Sequence, residues 1–199
     1  MDIEESYKPN FRSCKSSYLK KHIQHSLWIN QFRIILEKTY ISNAGISCDF
    51  LYARQIIARS LDQCSLRPDA MFTLEHKKAK KKLLHFLEID MGTESMKKKV
   101  PTSSSYSFFD KLMKYINYFD GEYYKTDFNE LFNVDFKGFR LMVVTPSIAR
   151  TQSTINLAGQ EGADFLWSTE FQNLCVEHFK NSIWLTTQGK RTKLILTKT

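Results

Sequence analysis

Apolar residues recur along this chain with two periods, and the places where the period changes divide it into elements. Over residues 17–38, Leu27, Phe32, Ile35 and Leu36 fall at approximately helical spacing beside Lys, Gln and Arg, which predicts a first helix. Ser42-Asn43-Ala44-Gly45 breaks it, and residues 46–51 predict a first strand. Residues 70–74 and 83–89 are apolar runs of strand length on either side of the polar stretch 75–82, the pattern of a β-hairpin. Residues 107–119 predict a helix with Phe108, Leu112, Tyr115, Ile116 and Phe119 on one side, whereas 123–137 read as a long irregular connection. Residues 139–145 predict a buried strand stopped by Pro146, 147–158 and 165–179 two helices, and 182–187 and 193–196 two late strands. This order describes an α/β fold with a central mixed sheet flanked by helices. Residues 1–17 carry no apolar period and read as a flexible leader, leaving 18–199 as one domain.

The alternation along the hairpin's second run has a chemical consequence. Side chains alternate across a strand, so Leu84, Phe86, Glu88 and Asp90 share one face while Leu83, His85, Leu87 and Ile89 share the other. Asp69, just ahead of the first run, comes within reach of Glu88 and Asp90 if the strands pair. A carboxylate at a strand end is more often a solvated terminus; three converging are a different matter, because they repel unless a cation sits between them. Hard oxygen ligands of this kind suit Mg²⁺ or Mn²⁺. On the following helix, Lys111 lies roughly 60° from the centre of the apolar stripe and Lys114 roughly 120°, so Lys111 is the lysine that can reach back to the sheet.

Charge adds a partner to this picture. A formal net charge of +8 and a pI near 9.2 favour an acidic partner, of which nucleic acid is the commonest. Lys97, Lys98 and Lys99 in a basic loop, and the lysines of 77–82, are candidate phosphate contacts, although a charge run is more often a solvated face. Arg67 and Arg150 stand at predicted strand ends near the acids. No apolar run reaches about eighteen residues and no signal peptide is evident, so a cytoplasmic protein without a membrane partner is expected. Cys14, Cys48, Cys64 and Cys175 are scattered, which argues against zinc and a disulfide framework. His22 and His25 share a helix face, and packing or capping is the expectation for them. A tyrosine nucleophile is a competing mechanism, but Tyr115 lies on the apolar stripe and reads as a packing residue.

A succession of short motifs then aligns: His25-Ser26-Leu27-Trp28-Ile29-Asn30 with Arg33, Arg67-Pro68-Asp69-Ala70, Glu88-Ile89-Asp90-Met91-Gly92-Thr93-Glu94, Lys111-Leu112 with Tyr115, Val143-Val144-Thr145-Pro146-Ser147 with Arg150, and Trp184-Leu185-Thr186-Thr187. In order and spacing it resembles the replication-relaxation protein family. Members of that family are similar to MobC-type plasmid mobilisation relaxases, with a core like the PD-(D/E)XK nucleases. The resemblance implies a plasmid- or mobile-element protein that nicks DNA for transfer or replication. By match to the nuclease motif, Asp69 would be the first acid and Glu88 the second, with the Ile89 carbonyl as a further Mg²⁺ or Mn²⁺ ligand. Asp90 would stand in the lysine position as a second-metal ligand or a partner of Lys111, and Lys111 would supply the missing lysine. Arg67, Lys97, Lys98, Lys99 and Arg150 would contact DNA. Two departures qualify this: Tyr52-Ala53-Arg54 stands where family members often carry a Ser-Glu-Arg-like segment, and only about twenty residues precede His25, where a winged helix-turn-helix often stands, so the chain reads as a fragment, a stand-alone variant or a partner to a separate DNA-binding or mobilisation protein. Two functions follow: metal-dependent nicking, or a catalytically inactive nuclease fold that binds DNA or assembles partners.

Overall fold

The computed structural model describes residues 17–41, 45–57, 66–97 and 106–194 of the 199-residue chain, the side chains of 17–20 and 41 excepted. Seven strands form one mixed sheet in chain order: β1 (Ile46–Tyr52), β2 (Ala70–His76), β3 (Lys81–Ile89), β4 (Phe139–Thr145), β5 (Leu166–Glu170), β6 (Trp184–Thr186) and β7 (Arg191–Thr192). β1, β2 and β3 are antiparallel neighbours, β3, β4 and β5 run parallel, and β6 and β7 return antiparallel. The expected hairpin is present, with Ala70 opposite Leu87 and His76 opposite Lys81. That register brings Asp69, at the start of β2, to the level of the end of β3, where Asp69 N–H donates to the Leu87 carbonyl at 3.1 Å.

Helices cover both faces. α1 (Ser17–Leu36), continued by a π-helical turn (Glu37–Ile41), packs Phe32, Ile35 and Leu36 against Phe72, Leu87, Ile89, Met142 and Val144. α3 (Phe108–Asp120), α4 (Tyr123–Phe132) and α5 (Ile148–Gln160) cover the opposite face, on Met71, Leu84, Phe86, Leu141 and Val143. α3 and α5 lie on the same side because both parallel crossovers, β3 to β4 and β4 to β5, advance in one direction along the sheet, and such crossovers share a hand. The two faces are the two sets read from the alternation of β3. A short α2 (Ala53–Ile57) follows β1, and α6 (Val176–Phe179) closes against α1.

Two expectations fail. Residues 123–137, expected to be irregular, contain α4: Tyr124, Phe128 and Phe132 recur four apart, and the first two are buried beneath α3. Residues 165–179, expected to be one helix, contain β5, a 3₁₀ turn (Phe171–Asn173) and α6. β5 sits between β4 and β6 with Leu166 packed on one face and Trp167 on the other. Only Phe165, Leu166 and Trp167 are apolar before Ser168, Thr169 and Glu170, a run too short for its period to separate a strand from a helix. The last strand falls at Arg191–Thr192, just ahead of the expected 193–196, whose final two residues lie outside the described set, as does the leader apart from Ser17. Among the described residues no helix is long and apolar enough to cross a membrane.

Candidate acid-lysine site at the strand ends

Side chains from four elements converge where β3 and β4 end and β2 begins, the rim at which open α/β sheets offer a crevice. Glu88, 2% exposed, lies on the α3 face of β3. Its Oε1 accepts the Tyr115 hydroxyl at 2.7 Å and its Oε2 accepts Lys111 Nζ at 3.0 Å. Lys111 and Tyr115 are four residues apart on α3, so both point at the same carboxylate. The helix is fixed at that height by a capping box: Ser107 Oγ accepts from Asp110 N–H while Asp110 Oδ2 accepts from Ser107 N–H. Phe86 anchors it laterally against Tyr115, Tyr118 and Phe139.

Asp69 approaches from the other side. Its Oδ2 accepts the Ile89 N–H at 2.7 Å and His25 Nε2–H at 3.0 Å, leaving Oδ1 without a partner among the described residues. Hydrogen bonding to Asp69 raises the His25 pKa, against the opposing effect of burial. Glu88 is pushed up to about 7 by its burial and by the negative charge of Asp69, with Lys111 pulling the other way. Burial works against the Lys111 ammonium, but Glu88, Glu94 and Asp69 hold its pKa above the ordinary range. Two carboxylates thus repel across a space that one lysine partly neutralises.

Asp90 is disposed differently. Its Oδ2 receives Arg150 Nε at 2.5 Å and its Oδ1 the Gly92 N–H at 2.7 Å, while Arg150 Nη2 donates to the Glu94 carbonyl at 2.9 Å. Both oxygens are engaged by the chain itself, and Arg150, not Lys111, is the cation that Asp90 holds. Gly92 is suited to this loop on two counts: its φ is +70°, and a Cβ would stand 3.1 Å from Pro146 Cγ. Arg150 comes from the first turn of α5, whose N-cap Ser147 accepts Arg150 N–H.

Lys111 forms the wall between two clefts. One, of about 440 Å³, is lined by His25, Asp69, Asp90 and Glu94 with Lys21 and His22; the other, of about 430 Å³, by Arg67, Glu88, Tyr106 and Lys114. Arg67 therefore stands at the site. Lys97 does not line either cleft: it pairs with Glu161 at 3.4 Å and lies over Phe109. Lys98 and Lys99 lie outside the described residues. His25 and Tyr115 belong to the site although packing was the expectation for both. A histidine facing an acid from another element has no local sequence signal, whereas Tyr115 could have been found from its four-residue spacing to Lys111. Ala53, at the position of the missing acid, donates its N–H to the Asp69 carbonyl at 3.1 Å, so an acidic side chain there would be borne beside Asp69.

Among the described residues no three His, Cys, Asp or Glu side chains are grouped to hold a metal by themselves. Asp69 and Glu88 still fit a hard divalent ion, because Mg²⁺ is commonly held by one or two carboxylates with water and substrate phosphate completing its shell.

The fold and site define an α/β protein with an acid-lysine cluster at the ends of its central strands. The chain belongs to the replication-relaxation family, whose model matches residues 2–134, more than half of the 199. That stretch holds Asp69, Glu88, Asp90 and Lys111; Arg150 lies beyond it. Family membership suggests a role in replication or mobilisation. No curated protein and no solved structure matches the chain.

Proposed function

We propose that this chain is a metal-dependent DNA-nicking enzyme on a PD-(D/E)XK-like core, acting in plasmid or mobile-element replication or mobilisation. The observation that carries the reading is Glu88, a buried carboxylate that lines one cleft, feels the charge of Asp69 from the neighbouring one, and is hydrogen-bonded by Tyr115 and by Lys111, which lines both. The order of β1 to β3 as an antiparallel meander followed by α3 and parallel β4 supports it. Asp69 and Glu88 would hold Mg²⁺ or Mn²⁺, with the Ile89 carbonyl the further candidate ligand. Such an ion supplies charge neutralisation at the phosphate and an acidified water. Lys111 orients that water or stabilises charge developing on the phosphate oxygens, and Tyr115 holds Glu88 in one rotamer. Arg67 and Arg150 meet the DNA backbone, Arg150 as positioned by Asp90.

One observation favours the silent alternative, a nuclease-like fold kept for binding: the Lys111 ammonium already sits on Glu88, as a cation would. The two readings separate in one experiment. Supercoiled and single-stranded DNA are incubated with the protein in Mg²⁺, Mn²⁺ or EDTA, beside Glu88→Gln and Lys111→Ala, and Mn²⁺ binding is titrated calorimetrically. Metal-dependent open circles lost in both variants, with Mn²⁺ affinity lost in Glu88→Gln, is the expected result. Intact DNA and no heat of Mn²⁺ binding would leave a DNA-binding module.

A further inference from the structure

We propose a second nucleic-acid site at the opposite end of the sheet, where β3, β4 and β5 begin, taking a single-stranded segment by its phosphates. The cleft there is about 670 Å³, larger than either cleft at the acid end. Lys81 and Glu88 are seven residues apart on one strand, about 23 Å at the usual rise, so the two sites are distinct. The proposal does not depend on the nicking reading.

The cations of this cleft divide into committed and uncommitted. Lys82 pairs with Asp49 at 2.9 Å and lies over the Phe132 ring, and Lys137 pairs with Asp135. Lys80 and Lys81 are exposed and make no ion pair among the described residues. Arg140 is half-buried, makes none either, and its guanidinium lies 4.0 Å above the Trp167 ring. Burial lowers its pKa. A guanidinium over an indole, with no ion pair among the described residues, can present its N–H groups in the fork that fits a phosphate. A half-buried arginine that shares its cleft with two exposed lysines, none of the three ion-paired among the described residues, is a concentration of positive charge that an anion would relieve.

The walls argue for an unpaired strand rather than a duplex. Phe119 and Phe165, stacked on each other on the α3 side of the sheet, and Trp167 on the α1 side line the same cleft, rings beside which bases can lie once they leave the stack, whereas a duplex presents only its backbone and groove edges. Lys80 has φ of +49° at the hairpin turn, which turns Lys80 and Lys81 toward the cleft while Lys77 and Lys78, on the same turn, do not line it.

That difference supplies the test. The full chain is titrated into a fluorescein-labelled twenty-nucleotide oligo(dT) over a salt series, read by anisotropy. Lys80→Asn with Lys81→Gln removes two charges, asparagine being chosen because it tolerates positive φ; Lys77→Gln with Lys78→Gln removes two from the same turn. The first pair is expected to weaken binding about tenfold and to flatten the log-log salt dependence by about 1.4, whereas the second stays within about twofold. Arg140→Lys, which keeps the charge and loses the fork, is expected to cost about fivefold. Equal losses in the two pairs, or none in the first, would overturn the site; equal affinity for a duplex of the same length would overturn the single-strand assignment. Thermal melts followed by circular dichroism confirm that each variant folds.

Discussion

The two ends of β3 carry opposite charge and solve it differently. At the end that holds Glu88 and Asp90, the carboxylates are buried and each is met by the chain's own donors: Lys111 and Tyr115 on one, Arg150 and Gly92 on the other. At the end that begins with Lys81, Lys82 and Lys137 are paired with Asp49 and Asp135, but the exposed Lys80 and Lys81 and the half-buried Arg140 make no ion pair among the described residues. An acid cluster that the fold neutralises internally is held in one shape. A basic cluster that the fold pairs only in part is, on the proposal above, open to a partner that brings negative charge with it. Substitutions at the two ends should therefore separate: at the acid end they should cost stability, at the basic end affinity.

The largest effect is expected at Glu88. Glu88→Ala takes the carboxylate from the Tyr115 hydroxyl and leaves Lys111 only the more distant Glu94, at 3.8 Å, and breaking one side of a buried pair costs about 4 kcal/mol. Urea denaturation should show that loss, and adding Lys111→Met should recover part of it, because the stranded ammonium is removed. Strict additivity of the two losses would mean that the pair is not coupled.

Midway along the strand, His85 sharpens the comparison through pH. It is fully buried, stacked on Phe72 at 4.5 Å, and neither ring nitrogen finds a hydrogen bond among the described residues. Burial, with the Arg140 charge adding to it, pushes its pKa from 6.5 down to about 3. Between those values the unfolded imidazole binds a proton that the folded one does not, so stability is full above pH 6.5 and falls as acid is added. By pH 4.5 the loss is about 3 kcal/mol. His85→Leu should flatten that limb of the urea midpoint against pH; an unchanged limb would assign it to other groups.

Arg150→Ala should cost less, about 2 kcal/mol, because Asp90 keeps the Gly92 N–H when the guanidinium goes. Arg150→Lys should restore little, since one ammonium cannot span Asp90 Oδ2 and the Glu94 carbonyl as the fork does. Denaturation midpoints of the two variants check this; full rescue by lysine would mean that only the charge matters.

These contacts also mark how far the sequence could be read. The hairpin and the facing of Glu88 were legible because period-two alternation is local and one register satisfies it. Lys111 was legible because a helical stripe gives an angle. The Asp90–Arg150 and Asp69–His25 pairs, separated by 60 and 44 residues, were not, since which strand lies beside which decides them. Arg150 was placed near the acids, but nothing local said that it would take Asp90 in place of a cation. α4 hid behind the acidic and polar residues between its buried rings, and β5 behind an apolar stretch of three residues, too short to show either period.

Ser107→Ala is the smallest change with a readable outcome. Ser107 is buried at the start of α3 and closes the capping box with Asp110, so its loss should cost about 1 kcal/mol. The cost should also reach the site, because Lys111 and Tyr115 stand only one and two turns further along the helix they share. If α3 is the lever that holds Glu88, Ser107→Ala should let the start of α3 open more often, seen as lower protection of the Lys111 and Tyr115 amides in hydrogen exchange. Ser147→Ala, the matching cap on α5, should loosen Arg150 and leave α3 protected. Equal loss of protection in both helices from either substitution would show that the acid end opens as one unit, and would remove the basis for treating Glu88 and Asp90 as separately held.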